Sequence, residues 1–109
     1  MIEISPQKVV HVVYLAREGF RARPELAAFI QGLNDDEKAH LVALAWVGRG
    51  AFEPGEYRDA LANAYAAATT PTEDYLMGMP HLAENLESGM ESMGIDVSDE
   101  EEDFLDGDH

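Results

Sequence analysis

The sequence predicts an all-α fold: a compact bundle of five or six short helices around a central apolar helix at about residues 35–48. Three observations carry that expectation. Helix-start signals recur along the chain, at Ser5-Pro6, at Asn34 with Glu37, and at Thr70-Pro71-Thr72-Glu73. Apolar residues return every three or four positions, and no pair of runs reads as a hairpin. Leu41 to Val47 is an unbroken apolar run, the mark of a helix covered on all sides by others. A chain of 109 residues has room for one such domain. The expected division is a helical domain at 1–94 and an acidic tail at 95–109.

The first helix starts at the Ser5 cap with Pro6 at its first position, and Ile4 before the cap can staple onto Val9. Its apolar stripe is Val9, Val13, Ala16 and Phe20; Gln7, His11, Tyr14, Glu18 and Arg21 form the opposite, polar stripe. A second helix starts near Pro24, with Leu26, Phe29, Ile30 and Leu33 inward. The third has the clearest start: Asn34 caps, and Glu37 three residues on can return the bond. Asp35 and Asp36 add charge that suits the positive end of the helix dipole. Gly48-Arg49-Gly50 reads as its stop. The fourth helix begins at Pro54 and turns Tyr57, Leu61, Ala64, Tyr65 and Ala68 inward. A short helix opens at the Thr70–Glu73 capping box and stops near Gly78. The last runs from Pro80 to Gly94, with Leu82, Leu86, Met90 and Met93 inward and Glu84, Glu87 and Glu91 outward.

Charge is unevenly distributed. The chain carries 22 acids and 7 bases, a formal net of −15. All seven bases (Lys8, Arg17, Arg21, Arg23, Lys38, Arg49, Arg58) lie in residues 1–58, beside 8 acids; residues 59–109 hold 14 acids and no base. Phosphate backbones and anionic lipid surfaces are bound by clustered Lys and Arg, so neither nucleic acid nor membrane is expected as a direct partner. The acidic half suits a basic protein surface or simple solubility. Mutual repulsion among its acids predicts raised carboxyl pKa values, hence stability that rises as pH falls from 7 towards about 5. The tail, with eight acids from Asp96 to His109, has too few apolar residues to offset the ordering cost of about 1–2 kcal/mol per residue, so it is expected to stay flexible. Its exception is Phe104-Leu105, an apolar pair flanked by acids, which suits docking to a partner or folding back onto the last helix.

Motifs for chemistry are thin. With no cysteine, thiolate metal sites, disulfides and thiol nucleophiles are excluded. Glu37 and His40 have Glu-x-x-His spacing, but a di-metal bundle needs two such motifs and further carboxylates, and Glu37 already serves as a cap. Neither a metal nor a cofactor is expected. Arg49, between two glycines after the central helix, can hold a carboxylate bidentately or serve as a helix-end base. Met77, Met79, Met90 and Met93 can line an adaptable groove or pack the core. No apolar run approaches a membrane span, and the first residues lack signal-peptide form, so the cytoplasm is the expected compartment.

Three stretches also carry a family likeness. They are Ile4-Ser5-Pro6-Gln7-Lys8-Val9 with Ala16-Arg17-Glu18; Leu33-Asn34-Asp35-Asp36-Glu37 running into Leu41–Gly50; and Tyr75-Leu76-Met77-Gly78-Met79-Pro80-His81-Leu82. In this order, over about residues 2–93, the chain resembles a small bacterial family known as domain of unknown function 3775. The resemblance implies a bacterial, all-α, cytoplasmic protein and supplies no activity.

The leading functional expectation is a non-enzymatic protein-binding or adaptor module. Its candidate contact residues are Arg49, Met90, Met93, Phe104, Leu105, Glu84, Glu87 and Glu91. The alternatives are an acidic mimic of nucleic acid that inhibits a DNA- or RNA-binding protein, and an enzyme using Glu37, His40 and Arg49.

Overall fold

The computed structural model describes residues 2–67 and 69–95. The expectations for Ala68 and the tail, including Phe104 and Leu105, lie outside them. Six α-helices are present among the described residues: α1 (Pro6–Arg17), α2 (Arg23–Gln31), α3 (Asp35–Arg49), α4 (Tyr57–Ala66), α5 (Thr72–Met77) and α6 (Leu82–Ser92). Two 3₁₀ turns, Gly19–Ala22 and Pro54–Glu56, lead into α2 and α4. The all-α bundle is as predicted, and α3 is its central helix.

α3 starts and stops as its sequence dictates. The Asn34 side chain accepts from the Glu37 backbone N–H at 2.7 Å, and the Glu37 carboxylate accepts from the Asn34 N–H at 3.0 Å. Gly50 ends the helix at φ 88°, a left-handed position that glycine adopts without strain. Between these caps Leu41, Ala43, Leu44 and Ala45 have no exposed surface.

α6 lies across α3 in the most extensive interface of the bundle, and α1 covers α6 on another side. Gly48 faces the Asn85 carbonyl and Gly89 faces the Leu44 carbonyl, so the two helices run antiparallel with their backbones touching. Gly48 is thus an interior contact residue; the stop is Gly50 alone.

Three inward assignments and one cap differ from the pattern. Phe20 is 87% exposed, because α1 ends at Arg17 and Gly19, at φ 78°, turns the chain before the stripe completes another turn. Tyr65 is 45% exposed; the buried line of α4 is Tyr57, Ala60 and Ala64, and the Tyr65 hydroxyl instead donates to the Asp36 carboxylate. Phe29 is half-buried, stacked on the His11 ring with centroids 4.2 Å apart. The Thr70–Glu73 capping box does not form. Pro71 occupies the cap position of α5, while Glu73 is buried and accepts from Gln31 Nε2 at 2.9 Å.

His40 is 1% exposed, the most deeply buried polar residue described. Its Nδ1 and the buried Tyr57 hydroxyl are joined by a 2.7 Å hydrogen bond that ties α4 to α3. Tyr57→Phe strands that nitrogen in the core, and an unsatisfied buried polar group costs about 1–3 kcal/mol. A urea denaturation midpoint equal to wild type would show that His40 has another partner.

Candidate functional site

The residues singled out from the sequence are scattered. Met90 is 1% exposed within the core, and Met93 is half-buried near the end of α6. Packing against α3 and α1 takes up much of the apolar face of α6. Glu84 and Glu91 are exposed on the outer face of α6, and Glu87 forms an ion pair with Arg17. Arg49 is exposed at the end of α3. Glu37, His40 and Arg49 do not assemble. Glu37 pairs with Lys8 at 2.5 Å, His40 is sealed against Tyr57, and Arg49 stands roughly 14 Å from His40 along the helix, at 1.5 Å per residue. Among the described residues no group of three or more His, Cys, Asp or Glu side chains is arranged to hold a metal ion.

Two clefts among the described residues bear on the site. The larger, about 560 Å³, lies between α3, α4 and α5. Trp46, Val42 and Ala64 give it apolar walls, and Lys38, Tyr65 and Thr72 line its rim. Three of its polar side chains already have partners. Trp46 Nε1–H donates to the Tyr75 hydroxyl at 2.8 Å, and Tyr65 is bonded to Asp36, which pushes the phenol up to about 12.

The second cleft, about 470 Å³, sits where the Gly19–Ala22 turn meets the start of α6. Here Phe20, Arg23, His81 and Glu84 are exposed. Ala22 is buried and anchors the turn, which holds Phe20 outward. The Arg23 guanidinium stands over the Phe20 ring, its central carbon 5.8 Å from the centroid, a cation–π arrangement. Met77, Met79 and Leu82 are apolar members of its lining, and Glu84 and His81 line it too. His81 has φ 59°, the one non-glycine left-handed residue described. Such conformations cost roughly 1–2 kcal/mol and gather at functional sites. Of the four methionines expected to line a groove or pack the core, Met77 and Met79 line this cleft and Met90 and Met93 do not. One sequence signal pointed to the corner: Gly19, a helix breaker placed just before the last member of the apolar stripe.

Among the described residues, the groups displaced from their ordinary values favour the opposite pH response to the one expected from repulsion. Both described carboxyls displaced from their usual range are held down: Glu37 by its hydrogen bond from Lys8 and then from the Asn34 N–H, and Glu73 by its bond from Gln31. Donors placed by the fold outweigh repulsion at these two sites. Burial also pushes the His40 imidazole below its ordinary value. Unfolding below about pH 6.5 lets His40 take up a proton that the folded core resists, so its contribution is full above 6.5 and declines below. The contributions of Glu37 and Glu73 are present above about 4.5 and fade at lower pH. The thermal midpoint is expected to fall steadily from pH 7 to 4. A midpoint that climbs between 7 and 5 would restore the repulsion argument.

The arrangement is thus an all-α domain with an exposed aromatic–arginine corner. It belongs to the family described as protein of unknown function (DUF3775), whose match covers residues 23–95. That match takes in α2 to α6 and leaves α1 and Phe20 outside, so the likeness at residues 4–18 is not part of it. No curated protein and no solved structure matches the chain. No helix among the described residues is long and apolar enough to cross a membrane.

Proposed function

We propose that this domain is a protein-binding module without catalytic activity, and that it docks its partner at the Phe20 corner. The observation that carries the reading is the exposure of Phe20 on a turn fixed by buried Ala22, with Arg23 stacked on its ring. A Phe side chain left in water forgoes roughly 1.5–3 kcal/mol of burial, a loss that a partner's surface recovers. Aromatic and arginine side chains beside an apolar recess are also the groups that dominate protein–protein binding energy.

Phe20→Ser tests this. Because the ring contributes little to the core, the variant should keep its thermal transition, with stability within about 0.5 kcal/mol of wild type. Affinity capture from the cell extract with wild-type chain should enrich a partner that Phe20→Ser loses. Capture that is identical for the two, or no enriched protein at any salt concentration, would end the proposal.

A second reading of the same class rests on the exposed Glu84 and Glu91 of α6. It has the domain engage a basic protein surface as an acidic mimic of nucleic acid. Under that reading Glu84→Gln with Glu91→Gln weakens capture and Phe20→Ser does not.

A further inference from the structure

We propose that the cleft between α3, α4 and α5 binds a small dipolar molecule with an aromatic ring, the class of the aromatic α-amino acids. This site is separate from the Phe20 corner. Its volume, about 560 Å³, falls within the roughly 300–1,000 Å³ of small-molecule pockets. Asp35, Lys38, Ala39, Val42 and Trp46 lie at helical spacing, so one face of α3 forms a wall of the cleft. Asp35 and Lys38 stand in the first turns of that helix. Trp46 follows Lys38 by roughly 12 Å along the axis, at 1.5 Å per residue. The cleft is therefore charged at one end and aromatic at the other.

The charged end carries both signs. Asp35 and Lys38 are the one acid and the one base among the described residues that line the cleft. Residues three apart on a helix are neighbours on its surface, yet these two form no ion pair with each other or with another described side chain. Asp36 is taken by Tyr65 and Glu73 by Gln31, and neither lines the cleft. Lys38 helps to hold the Glu73 carboxyl low, without pairing with it. A ligand with one charge meets an attraction and a repulsion at this end. A ligand with a carboxylate and an ammonium meets two attractions. The other end calls for a ring. The Trp46 N–H is already given to Tyr75, whose ring stands edge-on to the indole with centroids 6.3 Å apart. Ala64 and Ala67 are small enough to leave space beside them. A third ring in that space adds the aromatic contact energy that an aliphatic chain lacks.

Trp46 is the single tryptophan of the chain, so its emission reports on this cleft directly. The full chain is excited at the red edge of tryptophan absorption and titrated with L-phenylalanine. Phenethylamine, hydrocinnamate and L-alanine, which lack the carboxylate, the amine and the ring respectively, are titrated in parallel. L-Phenylalanine should change the emission saturably, with a Kd below about 1 mM, and each of the three analogues should bind at least about tenfold more weakly. Lys38→Met should weaken L-phenylalanine about tenfold and leave phenethylamine unharmed; Asp35→Asn should weaken it likewise and leave hydrocinnamate unharmed. The ligand series on the wild-type chain decides the question even where a variant fails to fold. No saturable change with L-phenylalanine would overturn the inference. So would equal affinity for any of the three analogues, or full affinity in a folded Lys38→Met chain.

Discussion

Gly48→Ala is expected to destabilise the domain by about 3 kcal/mol or more, and Gly89→Ala by a comparable amount. A methyl group at position 48 would overlap the Asn85 carbonyl, with its carbon only 2.6 Å away; one at 89 would overlap the Leu44 carbonyl, its carbon 2.9 Å away. The obstructing atoms are backbone on both sides, so no rotamer change relieves the clash. Either substitution must separate α3 from α6, the largest interface in the fold. Against a typical total of about 5–15 kcal/mol, that loss leaves a marginal protein. Gly32→Ala provides the internal comparison. Its added carbon would lie 3.5 Å from the nearest carbonyls, in ordinary contact, so that substitution should be neutral or stabilising by about 0.4–1 kcal/mol. Chemical denaturation of the three variants gives the comparison directly. Equal midpoints for Gly48→Ala and Gly32→Ala would show that α3 and α6 do not touch where described.

Leu44→Ala is expected to cost between roughly 2 and 5 kcal/mol, near the upper end of that range. Leu44 has no exposed surface, and it sits in the helix that α6 and α4 both cover. The cost of a truncated core residue depends on how far its surroundings can close on the space left behind. Here closure is blocked, because the backbones of α3 and α6 already meet at Gly48 and Gly89, on either side of the same contact. The cavity should therefore persist. A loss below about 1 kcal/mol in urea denaturation would mean that the helices can move together and that the glycine contact is loose.

Much of the fold was legible because caps and periodicity are local. Asn34 and Glu37 announce the start of α3, and both reciprocal bonds are present. The run Leu41–Val47 announces that α3 is central, and all seven of its residues are buried. What failed to show was tertiary. Gly48 and Gly89 have the same local appearance as helix stops or tolerated defects, and only the facing carbonyls of α6 and α3 give them their role. His40 looked like half of a metal motif because Glu37 stands three residues before it; its actual partner, Tyr57, is 17 positions away. Phe20 fell on the apolar stripe by spacing, but a single left-handed glycine before it directs the ring to solvent. The candidate site was illegible for the same reason. It is assembled from a turn, the end of α5 and the start of α6, three places whose proximity no periodicity encodes.

The docking claim meets its most direct test in an amide chemical-shift map of the full chain, labelled with nitrogen-15 and titrated with the protein it captures. The account predicts that the largest changes fall on residues 17–23 and 77–84 and leave the α3–α4–α5 cleft undisturbed. Changes centred on Trp46, Tyr65 and Tyr75, or confined to the outer face of α6 around Glu91, would contradict it.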